Sequence, residues 1–309
     1  MSDPARIPSA LKDVILTWYA SCGRDLPFRE TTDPYSILVS ETMAQQTQAA
    51  RAGEAWTRFM ARFPTVEILA EALPADVLRA WHGLGYNRRA LNLWRAAGRI
   101  VEEYGGRVPS DLAALESLPG VGPYTARAVA ALAFGLPVGA VDTNVRRVLG
   151  RIVAGEAGIV APAELQRLAD AAVPRGRPGE WTHALMDVGA TLCHPRRPDC
   201  ASCPARPWCR YATAYEVEAR AGRGMASAGT LVAIREPQAP FRTTSRWLRG
   251  RILARLRDAP NGEWVDLEDE IGEHDRAAVE VATRALAKDG LLEIDVGSSA
   301  PVRARLPVA

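Results

Sequence analysis

The chain has 309 residues, 48% of them hydrophobic and 24% charged, and this composition excludes disordered, collagen-like and coiled-coil proteins. At roughly 100–200 residues per domain, the length predicts about two domains. The formal net charge of +2 does not by itself indicate a nucleic-acid partner, because blocks of opposite sign cancel in the total. No stretch of about 18 apolar residues occurs, and the first residues lack the apolar core of a signal peptide. We therefore expect a cytoplasmic protein that does not bind membranes.

A helical body is predicted from Ile7 to about Tyr211. Apolar residues recur there at spacings of three and four, as in Leu78 and Trp81, which is the period of one helix face. Proline and glycine residues interrupt this pattern and mark the ends of the helices. We therefore predict an all-α domain over residues 1–215.

A linker and a second, smaller domain follow. The segment AYEVEARAGRGMASAGT has small residues, glycines and no apolar stripe, which is typical of a linker, and the linker is predicted over residues 216–241. Amphipathic patterns predict helices over Arg246–Asp258 and Asp275–Lys288. Two short strand-like runs, LLEIDV and PVRARLPV, come after them. Residues 242–309 are therefore predicted to form an α+β winged helix, a helix-turn-helix core that ends in a hairpin wing.

Two carboxylates follow apolar runs. Glu41 lies in ILVSETMAQQTQ, at the predicted start of a helix, and Asp142 lies in VGAVDTNVRRVLGR. Of two such carboxyl groups, one can protonate a leaving group while the other stabilises a developing cation, the division of labour seen in glycoside hydrolysis. The two residues suit these tasks. Taken alone, each side chain is more typical of a helix N-cap or a solvated surface charge.

A glycine-rich turn lies in residues 115–134, LESLPGVGPYTARAVAALAF. Gly120 and Gly122 are predicted to form a tight turn before an apolar helix. In such a turn, backbone N–H groups and the start of the helix can point at one phosphate without help from lysine or arginine. This arrangement would bind DNA at near-zero net charge. An ordinary glycine-rich connection between helices is the alternative.

Four cysteines lie within seventeen residues in the pattern C-x6-C-x2-C-x5-C, namely Cys193, Cys200, Cys203 and Cys209. Thiols at this spacing predict a metal site. Thiolates hold either a tetrahedral zinc ion or a [4Fe-4S] cluster, and spacing alone does not separate the two. Cys22 stands apart and is expected to be a buried core thiol.

These motifs together resemble the helix-hairpin-helix DNA glycosylases. LPGVGPYTA is similar to the L-P-G-[VI]-G hairpin of that superfamily, and the cysteine spacing resembles the loop that holds its [4Fe-4S] cluster. The order and spacing of Glu41, the hairpin, Asp142 and the cysteines resemble the adenine DNA glycosylase family over about residues 10–215. The resemblance implies a helix-hairpin-helix glycosylase fold with a six-helix barrel domain, an iron-sulfur domain and one [4Fe-4S] cluster.

The resemblance also implies an activity, the hydrolysis of the N-glycosidic bond of adenine mispaired with 8-oxoguanine or guanine in base-excision repair. Glu41 resembles the family's general acid and base, and Asp142 resembles the aspartate that stabilises the oxocarbenium ion. Tyr124 resembles the tyrosine that assists them, at the position where bifunctional relatives carry a lysine. A Schiff base and strand cleavage need that amine, so a monofunctional enzyme is implied. The implied partner is double-stranded DNA with a mispaired or damaged base pair, bound by a monomer at the bacterial nucleoid.

Further side chains resemble the family's contacts with DNA. Gln46 and Tyr86 resemble residues that enter the DNA stack and offset the cost of extruding a base. Arg24, Phe28 and Arg29 resemble the wall of the base pocket. These five residues are therefore candidate binding residues.

The chain departs from the family pattern at several positions. His183 stands in WTHALMDVG, where the family commonly has a glutamate that contacts the adenine. It is either an ordinary helix residue or a group that hydrogen-bonds a purine edge. Ala44, Phe28 and Asn87 replace the usual Leu, Trp and Tyr. The Nudix-like domain that reads 8-oxoguanine in most members is not recognisable, and the predicted winged helix resembles actinobacterial members.

Two other functions stay open from the sequence. His183 and the ALMDVG segment favour a thymine or uracil mismatch glycosylase of the same fold. A non-catalytic DNA-binding protein with an iron-sulfur cluster is a third hypothesis. The presence of Glu41, Tyr124 and Asp142 argues against it.

Overall fold

The computed structural model describes residues 7–155, 160–214, 240–267, 270–295 and 302–308. The α-helices up to residue 192 are α1 Ser9–Cys22, α2 Pro34–Ala44, α3 Ala49–Arg62, α4 Val66–Glu71, α5 Pro74–Ala80, α6 Arg88–Tyr104, α7 Leu112–Ser117, α8 Pro123–Ala133, α9 Thr143–Ala154, α10 Pro162–Ala172 and α11 Pro178–Asp187. A π-helical turn, Val188–Leu192, continues α11. Short 3-10 turns occur at Pro27–Arg29 and Arg206–Trp208. The all-α prediction for this part of the chain is confirmed.

Helix α2 begins earlier than the sequence indicated. Pro34 occupies its first turn, and the Asp33 carboxylate accepts a hydrogen bond from the Ser36 backbone N–H at 2.8 Å. This contact satisfies one of the N–H groups that the first turn of a helix leaves without a partner. The apolar run 37–39 therefore lies inside the helix. The prediction that Glu41 opens a helix is wrong, because Glu41 lies in the last turn of α2.

The described residues fall into two compact units. The first comprises the residues up to Glu41, residues 110–117 and residues 121–214, and the second comprises residues 42–109, 118–120 and 240–308. The predicted linker, residues 216–241, lies almost wholly outside the described residues. The predicted domain boundaries on either side of it stay a prediction.

The core of the first unit forms around α11, which packs against α1, α8 and α9. Trp181 of α11 is 1% exposed and shares one apolar cluster with Leu11 of α1 and Leu149 of α9. Burial of such side chains is the main stabilising contribution to the fold. It fixes α8 and α11, two helices that carry candidate site residues.

The position of Cys22 corrects an expectation. Its thiol is exposed rather than buried. Cys22 is the last residue of α1, whose buried residues are Leu11, Ile15 and Leu16, and the chain leaves the core there.

In the second unit, α6 packs against α4 and α5. The C-terminal residues add α12 Ser245–Asp258, α13 Arg276–Lys288, and the strands β1 Val265–Asp266, β2 Glu293–Ile294 and β3 Arg303–Arg305. Strand β3 pairs antiparallel with both β1 and β2, so that Val265 and Ile294 both align with Ala304. The two predicted helices and the two predicted strand runs are found. Strand β1, with only two residues, was not predicted.

The C-terminal elements are anchored on α5 and the residues after it. Arg257 Nε donates to the Leu78 carbonyl at 3.1 Å, and Arg257 Nη2 donates to Asn87 Oδ1 at 2.7 Å. Arg79 Nε donates in return to the Arg257 carbonyl at 3.0 Å. Asn87, which departs from the family pattern, therefore has a role in holding α12.

No helix in the described ranges is long and apolar enough to cross a lipid bilayer.

Candidate active site

Glu41 and Tyr124 meet inside the first unit. Glu41 is 6% exposed, and Tyr124 Oη donates a hydrogen bond to its Oε2 at 2.8 Å. Tyr124 is placed by the start of α8, where Gly122 is the extended residue before the helix and Pro123 is its first residue. Proline suits that position because its missing N–H would have no partner within the helix. Two residues that lie 83 positions apart in the sequence are thus brought together.

Burial raises the pKa of Glu41 to about 7. The hydrogen bond from Tyr124 and the charge of Arg29 act in the opposite direction, and the negative charge of Asp142 adds to the rise. Burial also raises the pKa of Tyr124 well above its usual range, so Tyr124 keeps its proton. Glu41 therefore populates both protonation states near neutral pH, which suits a group that gives a proton and later takes one.

Asp142 is the N-cap of α9. Its Oδ1 accepts a hydrogen bond from the Val145 N–H at 2.7 Å, and its Oδ2 accepts one from Asn144 Nδ2 at 2.9 Å. The N-cap interpretation of the sequence is correct as a description of local structure. These bonds fix the orientation of the carboxylate, and its charge acts on both Glu41 and Tyr124. An N-cap carboxylate thus also belongs to the electrostatics of the site.

A cavity of about 400 Å³ opens beside Glu41. Its lining includes Phe28, Arg29 and His183. The volume lies within the range of roughly 300–1,000 Å³ that small-molecule sites occupy, so a nucleobase fits. Arg24, which the sequence resemblance also assigned to this wall, is not among the lining residues.

A buried carboxylate holds Arg29 at the cavity wall. Asp187 is fully buried, and Arg29 Nη1 and Nη2 donate to its two oxygens at 2.8 and 2.7 Å. Arg24 donates to the same carboxylate from Nε at 2.7 Å and from its backbone N–H at 2.8 Å. Burial acts to raise the pKa of Asp187, but the hydrogen bonds from Arg29 and Arg24 outweigh it and lower the pKa. The role of Arg24 is therefore to complete this network.

His183 lies one helical turn before Asp187 on α11 and faces the cavity. Burial, reinforced by the positive charge of Arg29, lowers the pKa of His183 to about 3. The imidazole is therefore neutral at physiological pH and offers one N–H donor and one acceptor nitrogen. Its position in the cavity favours the base-contacting interpretation over that of an ordinary helix residue.

The predicted hairpin connects α7 to α8. Gly120 has a φ of +79°, and a Cβ at this position would lie 2.7 Å from Asn92 Cβ. Only glycine adopts this conformation without strain at such close approach. Gly122 has an extended backbone with open space around it. The turn leads directly into α8. The first N–H groups of a helix have no hydrogen-bond partners within the helix.

Gln46 and Tyr86, the predicted DNA-stack residues, have left-handed backbones with φ values of 54° and 46°. Such values are uncommon outside glycine and asparagine, and they cluster at functional sites. Tyr86 is 48% exposed. Both residues lie in the second unit, where they are among the residues that line a second cavity.

The four clustered cysteines line one small cavity in the first unit. Arg151 Nη1 donates to Cys193 Sγ at 3.3 Å, and Cys209 Sγ donates to the Arg151 carbonyl at 3.6 Å. Over the described ranges, no three His, Cys, Asp or Glu side chains are close enough together to hold a single metal ion. Four thiols around a shared space, with a guanidinium beside one sulfur, are a donor set that fits a thiolate-held cluster.

Comparison with known proteins decides the family. Residues 39–173 match the family described as HhH-GPD superfamily base excision DNA repair protein. The adenine DNA glycosylase of Mycobacterium tuberculosis is 44% identical over 251 residues, which cover 79% of this chain and 78% of that protein. The adenine DNA glycosylase of Mycolicibacterium smegmatis is 39% identical over 282 residues, 90% of this chain and 91% of that protein. The chain belongs to the adenine DNA glycosylase family.

A solved structure supports the same fold. A thermostable thymine-DNA glycosylase superposes with a TM-score of 0.62 at 33% identity, covering 66% of this chain and 95% of that chain. The predicted membership of the adenine DNA glycosylase family and the predicted helix-hairpin-helix fold are thus confirmed. The alignment with the M. smegmatis adenine DNA glycosylase spans 282 residues, which is longer than the segment 1–241. It therefore extends into the C-terminal elements.

One residue of the site was not selected from the sequence. Asp187 lies inside the ALMDVG segment, and its signal in the sequence is a single carboxylate within an otherwise apolar run of six residues. A charge in that setting is almost never fully buried unless it is paired. Its partners, Arg29 and Arg24, lie 158 and 163 positions away, and the sequence around them does not indicate the pairing.

Proposed function

We propose that this member of the adenine DNA glycosylase family releases adenine from its mispairs with 8-oxoguanine or guanine and leaves an abasic site. The observation that carries the proposal is the buried Glu41, whose pKa is raised to about 7, at the wall of a base-sized cavity. A carboxyl that still holds its proton near neutral pH can act as a general acid.

The first chemical step assigns one role to each residue. The Glu41 carboxyl donates its proton to a ring nitrogen of the adenine, and the electron pair of the glycosidic C–N bond leaves with the base. The sugar becomes an oxocarbenium cation. Asp142, whose orientation is fixed by the hydrogen bonds from Val145 and Asn144, stabilises that cation through its negative charge.

Hydrolysis completes the reaction. Glu41, now a carboxylate, removes a proton from a water molecule as the water oxygen bonds to the sugar carbon. This step restores the protonated glutamic acid. Tyr124 donates to Glu41 Oε2 throughout and holds the carboxylate in place, since its own pKa is raised and it keeps its proton. A tyrosine offers no amine for a Schiff base, so the product strand remains intact.

The cavity wall supplies contacts for the base. Neutral His183 can donate to an acceptor or accept from the amino group of a purine, and the Asp187 network fixes Arg29 beside it. Phe28 provides an apolar surface for stacking. These contacts support adenine as the base that enters.

We also propose that Cys193, Cys200, Cys203 and Cys209 hold one [4Fe-4S] cluster. Their shared cavity and the family membership support this assignment. When bound, such a cluster crosslinks the segment between Cys193 and Cys209. Exposed arginines such as Arg196 and Arg210 lie in and beside this segment and can contact phosphates of double-stranded DNA.

A panel of oligonucleotide duplexes tests the proposed substrate. Duplexes with adenine opposite 8-oxoguanine, adenine opposite guanine, thymine opposite guanine and uracil opposite guanine are incubated with the full chain, and the released base is identified. We expect adenine from the first two, with strand breaks only after alkali treatment. Release of thymine or uracil without adenine would overturn the proposal.

A thymine or uracil mismatch glycosylase is the second candidate. It is favoured by His183 in the cavity and by the fold shared with the thymine-DNA glycosylase at 33% identity. The same panel decides between the two. A His183→Glu variant adds a second test. If His183 contacts the base, this substitution should change the ratio of adenine release to thymine release.

A further inference from the structure

A second cavity of about 690 Å³ lies within the second unit. Its lining includes Gln46, Tyr86 and Arg88 from the helical part and Phe241, Ser245 and Arg246 from the C-terminal part. We propose that it takes one unstacked nucleotide of the DNA, with the base against Tyr86 and Phe241 and the adjoining phosphate on Arg246. The proposal rests on the proposed function, because it needs DNA whose bases have been unpaired.

The aromatic side chains in this cavity are partly open to solvent, and two guanidinium groups lie near the Tyr86 ring, Arg246 at 5.0 Å and Arg89 at 5.6 Å from its centroid. Tyr86 is 48% exposed and Phe241 is 62% exposed. An exposed aromatic ring by itself is unremarkable, but two that line one cavity form a platform that a flat base can cover. Stacking of bases on such rings is a principal contribution to the binding of unpaired nucleotides and accepts any base.

The charge in the cavity favours an anionic ligand. The Arg246 guanidinium lies 5.0 Å from the centroid of the Tyr86 ring. Where the structure describes the chain, no carboxylate lies within salt-bridge distance of Arg246. Arg249 and Arg88, by contrast, share Asp289 at 2.5 and 3.6 Å. Arg246 therefore carries its positive charge beside the aromatic surface, as a site for a base and its phosphate requires.

The backbone at the cavity is held in place before any ligand arrives. Gln46 and Tyr86 both have positive φ values. Arg89 Nη1 donates to the Thr42 and Met43 carbonyls at 2.9 and 3.0 Å, and Arg89 Nη2 donates to the Gly85 carbonyl at 3.3 Å. One half-buried guanidinium thus connects the two turns that carry the strained residues. Strain maintained in this way is typical of functional sites.

The C-terminal elements are fixed on the same unit. Arg257 is bonded to Leu78 and Asn87, as described above, and the Ala75 N–H donates to the Pro307 carbonyl at 3.0 Å. Arg246, on the same helix as Arg257, is therefore held opposite Tyr86 by contacts outside the cavity. The C-terminal elements therefore contribute Arg246 to the lining of this cavity.

Binding to matched duplexes tests the proposal. The target adenosine carries a non-hydrolysable 2′-fluoro sugar, and the Kd of the full chain is measured for wild type, Arg246→Gln and Arg251→Gln. Arg251 is an exposed arginine on the same helix outside the cavity, so its variant loses the same charge. We expect Arg246→Gln to raise the Kd about 5- to 20-fold, as for loss of a cation beside a stacked base, and Arg251→Gln to raise it less than about 2-fold.

An abasic scan identifies the nucleotide. In a series of duplexes, one nucleotide near the target or opposite it is replaced by an abasic residue. We expect the effect of Arg246→Gln to shrink at one position, where no base remains to order the nucleotide beside Arg246, and to persist in full at all others. The same factor at every position would show a phosphate contact alone, and no effect at any position would show no contact. Either result overturns the proposal.

Two further measurements distinguish failure of the nucleotide site from misfolding of the variant and from failure of the proposed function. Urea unfolding of the Arg246→Gln variant should match wild type, because Arg246 is exposed. Adenine release by wild type is measured independently. If no adenine is released but the scan finds one position, the proposed function fails and the nucleotide site stands. If adenine is released and the scan finds none, the nucleotide site fails alone.

Discussion

Asp187 shows how one buried charge positions several parts of the site. The carboxylate is fully buried and is bonded to Arg29 and Arg24, and Arg29 in turn lines the cavity beside Glu41. An isolated carboxylate in that environment would be very unfavourable, so the pair of guanidinium groups is what permits it. The site therefore depends on a residue that does not itself line the cavity.

Replacing Asp187 by Asn should destabilise the protein strongly. The substitution leaves two arginines with no counter-charge, one of them mostly buried, and breaking a buried pair in this way costs on the order of 3–5 kcal/mol. Urea denaturation measures the loss. Glu103→Gln, which breaks the exposed pair with Arg99, is the matched control and should leave the free energy of unfolding unchanged. Equal stability of the two variants would contradict the role given to Asp187.

The raised pKa of Glu41 predicts how stability depends on pH. The folded chain binds this proton more tightly than the unfolded chain, whose carboxyl titrates near 4.5, because burial raises the pKa to about 7. The contribution of protonated Glu41 to the free energy of unfolding is therefore fully present below about pH 4.5 and is lost as the pH rises through 7. Glu41→Gln removes that titration. The variant should gain up to about 3 kcal/mol relative to wild type between pH 4.5 and pH 8. A pH-independent difference would contradict the assignment.

Single residues also show what the sequence could predict at the site. Glu41, Tyr124 and Asp142 lie in sequence motifs that resemble those of the family, and they could be selected for that reason. The structure brings Glu41 and Tyr124 into hydrogen-bond contact. The pairing of Asp187 with Arg29 could not be predicted, because nothing near either residue encodes a contact across 158 positions. That contact depends on how α1 and α11 pack.

At the scale of elements, the hairpin before α8 gives a clear contrast. Gly120→Ala should cost about 1–3 kcal/mol, because an alanine would need a left-handed backbone and its Cβ would clash with Asn92. Gly122→Ala meets open space at an extended position and should change stability by less than about 0.5 kcal/mol. Thermal unfolding of the two variants tests the difference, and a larger effect at Gly122 would refute the geometry of the turn.

Elements with a strong apolar period were predictable, and those defined by distant contacts were not. Helices α12 and α13 were predicted to within one residue at each end because apolar residues repeat along one face of each, as Leu248 and Ile252 do on α12 and Val279 does on α13. The apolar run 37–39 does not reveal the start of α2, because the residue that caps this helix, Asp33, lies before the run. The anchoring of α12 by Arg79 and Arg257 carries no periodic signal, since a lone arginine in a sequence gives no sign of its partner.

At the scale of the whole molecule, the net charge of +2 is compatible with a DNA partner. A helix start delivered by a glycine turn can bind phosphate without a basic side chain. Local arginines add to it, such as Arg246 beside Tyr86, while carboxylates elsewhere cancel them in the sum. Charge counted over the full chain therefore says little about where DNA lies.

The proposed cluster predicts the metal content of the purified chain. We expect about four iron and four sulfide per chain and a broad visible absorption band. A Cys203→Ala variant should lose most of the iron, whereas Cys22→Ala should keep it, because Cys22 lies on α1, apart from the cysteine cavity. One zinc per chain and no iron would show a zinc site instead.

The most direct test of the central claim is the single-turnover rate of adenine release from a duplex with adenine opposite 8-oxoguanine, measured near neutral pH for wild type and Glu41→Gln. A positioned general acid and base contributes about 10²- to 10⁴-fold to such a rate. We predict a loss of at least that size in a variant that still binds the duplex. Equal rates for the two proteins would contradict the assignment of Glu41 as the residue that transfers the proton.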